Sequence, residues 1–109
     1  MDFTNKRVLV TGSSRGIGFE IAKTFLAAGA RVAINGSTEE SVGSAMVGLG
    51  HVDRTIAAPG NIGTVAGCES VVETAIRAFG GLDILVNNAG VGAGRPIAAC
   101  DEAMWDAHA

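Results

Sequence analysis

The chain has no tyrosine, one tryptophan and two cysteines among its 109 residues, and fewer basic than acidic side chains. Each shortage excludes something. Without tyrosine there is no phenol to serve as a general acid. Cys68 and Cys100 match no metal-ligand spacing, and two cysteines do not make a disulfide scaffold. A net charge of −3 and a pI near 5.2 argue against nucleic acid and anionic membranes as partners, because both want clustered Lys and Arg. No stretch approaches the ~18 apolar residues of a membrane span. Met1-Asp2-Phe3-Thr4-Asn5-Lys6 does not open a signal peptide, so a reducing cytoplasm is the expected location. Asn35-Gly36-Ser37 fits a glycosylation sequon, but without a secretory route it reads as chance. No repeat period is present, which removes collagen and solenoid readings.

What is present is apolar content and glycine. Residues classed as hydrophobic make up 48% of the chain, enough to fold rather than stay disordered, and the length suits one small domain. Its 16 glycines are about twice the usual share. They fall between apolar runs, where backbone must turn tightly or approach something closely.

Arg7-Val8-Leu9-Val10-Thr11 is a continuous apolar run, the pattern of a strand buried on both faces of a parallel sheet. A helical pattern follows from about Gly16 to Ala28, with Ile17, Ile21 and Phe25 on one stripe and Ala22 and Leu26 beside it. Gly29 sits where a left-handed cap belongs. A second strand spans Arg31 to Asn35. Ser37-Thr38-Glu39-Glu40 then reads as a capping box opening a poor helix, interrupted by Gly43 and Gly48 and ended by Gly50. A weak strand from Arg54 to Ala58 stops at Pro59-Gly60. The next helix runs from about Thr64 to Phe79, with Cys68, Val72, Ala75, Ile76 and Phe79 inward, and Gly80-Gly81 ends it. Leu82 to Asn87 is the strongest strand of the chain. After a glycine-rich loop, Asp101 caps a last helix that is still running at Ala109. Strands alternating with helices predict an α/β fold: a parallel sheet with helices on both faces.

The first turn, Thr11-Gly12-Ser13-Ser14-Arg15-Gly16-Ile17-Gly18, lies between a buried strand and an amphipathic helix. Glycines there let main-chain N–H groups reach a pyrophosphate, which the helix dipole also favours. The spacing is not Gly-x-Gly-x-x-Gly, and no Gly-Lys-Ser/Thr ending follows, which disfavours a P-loop hydrolase. Thr-Gly-x-x-x-Gly-Ile-Gly resembles the fingerprint of the short-chain dehydrogenase/reductase family. Asn87-Asn88-Ala89-Gly90, Asn61-Ile62, Leu82-Asp83-Ile84-Leu85-Val86 and Trp105-Asp106 are similar to further family motifs, in the right order.

The resemblance covers essentially the whole chain. It implies a Rossmann-type doubly wound parallel sheet, with residues 1–109 as the N-terminal, dinucleotide-binding half of about four strands. In that setting Gly12, Ser14, Arg15, Gly16, Ile17 and Gly18 would cradle the pyrophosphate and adenine ribose. Asn61 and Ile62 would flank the adenine, and Asn88, Ala89 and Gly90 would pack against the nicotinamide-side ribose. Asn87 and Asp83 fit better as structural hydrogen-bonders, and Phe19, Phe25 and Phe79 as core.

A chain preferring NAD usually carries Asp or Glu at the end of the second strand, to accept from the ribose 2′-OH. Here Asn35-Gly36-Ser37-Thr38 stands instead, which removes the repulsion toward a 2′-phosphate. Arg15 can grip that phosphate with charge-assisted hydrogen bonds, and Ser37 and Thr38 add hydroxyl donors. Ser37 fits equally as a helix cap. NADP(H) is expected over NAD(H).

The family resemblance also implies a catalytic tyrosine, lysine and serine, with an asparagine in the helix after the fourth strand. None can be assigned here: tyrosine is absent, and the two lysines, Lys6 and Lys23, belong to the first strand and first helix. His51 and His108 carry the side chain most used for proton transfer but lack a plausible catalytic setting. No catalytic residue and no metal site is therefore nominated, and the catalytic C-terminal half is expected to lie outside a chain that is a fragment of something about twice as long. The function implied is an oxidoreductase acting on a small-molecule carbonyl or alcohol. The pattern is closest to the 3-oxoacyl-carrier-protein reductases, and a homo-oligomer is expected. The alternative is a non-catalytic, truncated dinucleotide-binding module. An extended-type epimerase would prefer Thr-Gly-x-x-Gly-x-x-Gly, and a methyltransferase would leave Asn87-Asn88-Ala89-Gly90 unexplained.

Overall fold

Val8, Leu9 and Val10 are consecutive and all inaccessible to solvent, although neighbouring side chains on a strand point to opposite faces. The sheet must therefore be covered on both sides. A computed structural model, which describes residues 2–88, shows how. The order is β1 (Arg7–Val10), α1 (Gly16–Ala27), β2 (Arg31–Ile34), α2 (Glu39–Leu49), β3 (Thr55–Ala57), α3 (Val65–Phe79) and β4 (Ile84–Val86). All four strands are parallel, in the spatial order β3-β2-β1-β4. Val8, Val10, Val32 and Ile34 pack against Ala22 and Leu26 of α1 and against Val42, Ala45 and Leu49 of α2. Leu9 and Ala33 face the other way, onto Val71, Val72, Ala75 and Phe79 of α3. Burying each large aliphatic side chain stabilises by roughly 1.5–3 kcal/mol, so the two aliphatic layers dominate cohesion. This is the expected Rossmann-type, doubly wound α/β sheet. The helix expected from Asp101 onward lies outside the described residues.

Several local expectations are corrected. The buried stripe of α1 is Gly18, Ala22 and Leu26, while Ile21 and Phe25 are half-buried beside it and Ile17 is 75% exposed. Close contact between Gly18 and the Gly12 carbonyl fixes the rotation of α1, and that turns Ile17 outward. α2 is one unbroken helix. A Cβ on Gly43 would meet nothing within 4 Å, and one on Gly48 would only touch the Phe19 ring at 3.5 Å, so neither glycine marks a break. The α2 cap is Thr38, whose Oγ1 accepts from the Ser41 N–H at 3.0 Å; Ser37 does not cap the helix. β4, which reads as the strongest strand in sequence, is a half-buried three-residue strand at one edge of the sheet among the described residues.

Helix ends are tied down by tertiary partners. Gly29 adopts φ +95°, and the Ala30 and Gly29 N–H groups donate to the Phe25 and Leu26 carbonyls, a Schellman closure of α1. The Arg54 guanidinium donates to the carbonyls of Leu26 (2.8 Å) and Ala30 (3.0 Å), so a residue preceding β3 supplies the cation that the last turn of α1 lacks. Arg7 holds Asp83 through Nε and Nη2 at 2.9 and 3.1 Å, and the Arg7 N–H donates to the same carboxylate. Asp83 is thus the structural hydrogen-bonder at the entry to β4.

Candidate functional site

Parallel strands place all their carboxyl ends on one side of the sheet, and the turns that follow them meet there. The turn after β1 is drawn tight by Gly12, at φ +62°, and by Ser13, whose Oγ donates to the Val10 carbonyl at 2.7 Å. α1 then starts directly over this turn. A Cβ on Gly18 would stand 2.2 Å from the Gly12 carbonyl oxygen and 2.6 Å from Asn88 Nδ2, so no other residue permits that approach. On the β4 side, the Asn88 side chain donates to the Gly12 carbonyl at 3.2 Å, and its N–H donates to Thr11 Oγ1 at 3.0 Å.

Beyond this turn opens a cleft of about 490 Å³. Six of the expected binding residues, Gly12, Ser14, Arg15, Ser37, Asn61 and Ile62, line it together. Gly16 and Ile17 line an adjoining open face with Phe19 and Glu20 instead. Gly18 is buried beneath the turn, Thr38 is engaged in the α2 cap, and Asn88 braces Gly12. Ala89 and Gly90 lie outside the described residues.

The cleft is also walled by Asn35 and Gly36, and by three residues that sequence reasoning missed: Ser41, Ser44 and Gly60. Ser41 and Ser44 are three apart on α2, a helical spacing that could have flagged a shared face. Gly36 lets the Ser14 and Ser41 hydroxyls pack against its backbone, since a Cβ there would stand 2.8 Å from the hydroxyl oxygens of both. The stretch Asn35-Gly36-Ser37-Thr38 stands where a carboxylate would face the ligand. Within it the Asn35 side chain is 1% exposed and turned into the protein, bonded to backbone on both sides, and Gly36 is the position with no side chain.

The electrostatics favour an anion. Among the described residues Arg15 is the only charged side chain lining the cleft, and its guanidinium has no ion pair or hydrogen bond with them. Glu39 and Glu40 are exposed in the first turn of α2 and do not line it. α2 and α3 are capped by Thr38 and Thr64, whereas α1 has no side-chain cap and no acid in its first turn. An uncapped positive helix end beside an uncommitted arginine and hydroxyls suits phosphate groups. A dinucleotide therefore fits the donor set. Among the described residues no helix is long and apolar enough to cross a membrane, and no acidic, His or Cys cluster could hold a metal.

Comparison with known proteins agrees with this geometry. A family model described as short chain dehydrogenase matches residues 6–108. The (2S)-[(R)-hydroxy(phenyl)methyl]succinyl-CoA dehydrogenase subunit of Thauera aromatica is 38% identical, over 97% of this chain and 43% of its own length. The 3-oxoacyl-[acyl-carrier-protein] reductase of Escherichia coli (strain K12) is 42% identical, over 84% of this chain and 36% of its own. A short chain dehydrogenase from Burkholderia cenocepacia J2315, solved in complex with NADP, superposes with a TM-score of 0.85 at 32% identity, covering 97% of this chain and 52% of that one. The chain thus spans 36–43% of the length of these curated relatives.

Proposed function

The chain belongs to the short chain dehydrogenase family, and from that premise we propose that its cleft holds the adenosine and pyrophosphate end of NADP(H) in an oxidoreductase acting on a carbonyl or alcohol. The observation that carries the reading is the pairing of an uncapped α1 N-terminus with the uncommitted Arg15 in a cleft that no carboxylate of the described residues lines. When bound, the cofactor supplies or accepts the hydride. The protein's part is to bind and orient it. Gly12, Ser14, Gly16, Ile17 and Gly18 form the pyrophosphate turn; Asn61 and Ile62 flank the adenine; Asn88, Ala89 and Gly90 support the nicotinamide-side ribose. Arg15 and Ser37 read the 2′-phosphate, and Thr38 contributes by holding the start of α2.

NADP(H) is preferred over NAD(H) on charge. A ribose 2′-OH gains most from a carboxylate, and among the described residues none lines the cleft, whereas a 2′-phosphate gains most from a guanidinium. The NADP complex of the Burkholderia relative supports this choice. By family likeness the substrate is a small ketone or its alcohol, the protein works in the cytoplasm, and it assembles with copies of itself. On this reading the proton-donating tyrosine belongs to the portion of the relatives that this chain does not span.

A second reading, binding without turnover, is favoured by one observation: the 109 residues contain no tyrosine. Steady-state assay of the protein with NADPH or NADH and a panel of ketones, followed by nicotinamide absorbance, separates the two. Carbonyl-dependent oxidation of NADPH in preference to NADH is the expected outcome. Binding without oxidation of either would favour the module, and oxidation of NADH alone would overturn the cofactor assignment.

A further inference from the structure

β2 lies between β1 and β3, so the residue that follows it is placed to reach the turns after both neighbours. Asn35 stands there, and its side chain uses both ends. Oδ1 accepts from the Gly12 N–H at 2.9 Å, on the glycine turn. Nδ2 donates to the carbonyls of Ala58 at 2.9 Å and Gly60 at 3.3 Å, on the segment after β3. Its backbone adds three bonds to the glycine turn: Ser13 and Ser14 N–H to the Asn35 carbonyl at 2.8 and 3.1 Å, and Asn35 N–H to Ser13 Oγ at 2.9 Å. Those backbone bonds survive a change of side chain. The tie across to Ala58 and Gly60 does not.

We propose that Asn35 is a positioning residue that fixes the width of the cleft, clamping the wall that carries Gly12, Ser14 and Arg15 to the wall that carries Gly60, Asn61 and Ile62, without itself reading the cofactor. The proposal rests on the cleft being a dinucleotide site. Its chemistry is specific to an amide, since one acceptor and two donors are needed at a single buried point. Aspartate has the same shape but cannot donate, and it would set a carboxylate against two carbonyl oxygens. Leucine has the same branching and number of side-chain heavy atoms, though more bulk, and would leave three backbone groups unpaired.

The test compares Asn35→Asp and Asn35→Leu with the unaltered protein. Calorimetric titration with NADPH and with NADH at about pH 8 is expected to show both affinities lowered by about tenfold, the ratio between them unchanged in the neutral Asn35→Leu, as unpaired buried groups cost on the order of 1.4 kcal/mol. A buried carboxyl facing carbonyls is pushed up, with Arg15, the one charged side chain of the described residues that lines the cleft, pulling the other way. In Asn35→Asp the loss should therefore narrow at about pH 5, where the protonated acid regains a donor, while Asn35→Leu keeps its full loss. A changed NADPH to NADH ratio in Asn35→Leu would mean that residue 35 touches the ribose, and no loss in either variant would mean that it clamps nothing. Amide exchange at Gly60, whose N–H donates to the Gly36 carbonyl at 3.0 Å, should be faster in Asn35→Asp with no cofactor present. If the unaltered protein bound neither dinucleotide, the reading of the cleft would fall and exchange alone would decide the clamp. Should Asn35→Asp not fold, the smaller neutral Asn35→Ser carries the ratio and exchange comparisons.

Discussion

Gly18 and Asn35 are both buried at the glycine turn, one because a side chain cannot be there and the other because a particular side chain must be. A Cβ at Gly18 would meet the Gly12 carbonyl and the Asn88 amide, which are themselves hydrogen-bonded together. Gly18→Ala is accordingly expected to destabilise by roughly 3 kcal/mol, read from the denaturant midpoint, and to weaken dinucleotide binding as the turn shifts. The glycines of this turn were legible from the sequence because their spacing and context carry the constraint directly. The role of Asn35 was not, because position along the strand does not say which way a residue just past its end will face. A polar residue there suits an open ligand wall and a buried clamp equally well. Only the neighbouring turns, brought in from 23 residues away toward either terminus, decide between them.

At the scale of elements, the strands were read more faithfully than the faces of the helices. Apolar runs such as Val8-Leu9-Val10 admit one interpretation, burial on both sides. The stripe on α1 was misread because periodicity gives a helix an apolar arc but not its centre, and contact with Gly12 moved that centre toward Gly18. Glycine in α2 was taken as interruption, yet tertiary packing of Val42, Ala45 and Leu49 carries the helix through it. Gly43→Ala, which adds a Cβ into open space, should stabilise the protein by about 0.5–1 kcal/mol, seen as a rise in melting temperature. Arg54→Ala should do the reverse. It removes two charge-assisted hydrogen bonds from the end of α1, at a cost of about 2 kcal/mol in chemical denaturation.

For the whole molecule, the strand order places a change of direction between β1 and β4, since the chain leaves β3 at one edge and returns beside β1 at the other. Ligands of open α/β sheets bind beyond the carboxyl ends of the strands at such a switch point, and Gly12 and Asn88 meet there. The pairing of β4 with β1 is reinforced by Arg7 and Asp83. Hydrogen bonds from Arg7 hold the Asp83 carboxyl well below the usual carboxylate range. A depressed folded value means that its contribution is fully present above the unfolded pKa, near 3.9, and is lost as pH falls toward the folded value. Urea midpoints measured downward from about pH 5 should therefore decline less steeply in Asp83→Asn than in the unaltered protein; parallel declines would contradict this.

The account rests most heavily on Arg15 as the reader of a 2′-phosphate, and the measurement that reaches it most directly is calorimetric titration of the unaltered protein and Arg15→Ala with NADPH and NADH. The predicted result is tighter binding of NADPH by the unaltered protein, and in Arg15→Ala a loss of about 1.5–3 kcal/mol for NADPH with little change for NADH. Equal losses for the two cofactors, or none for either, would contradict it.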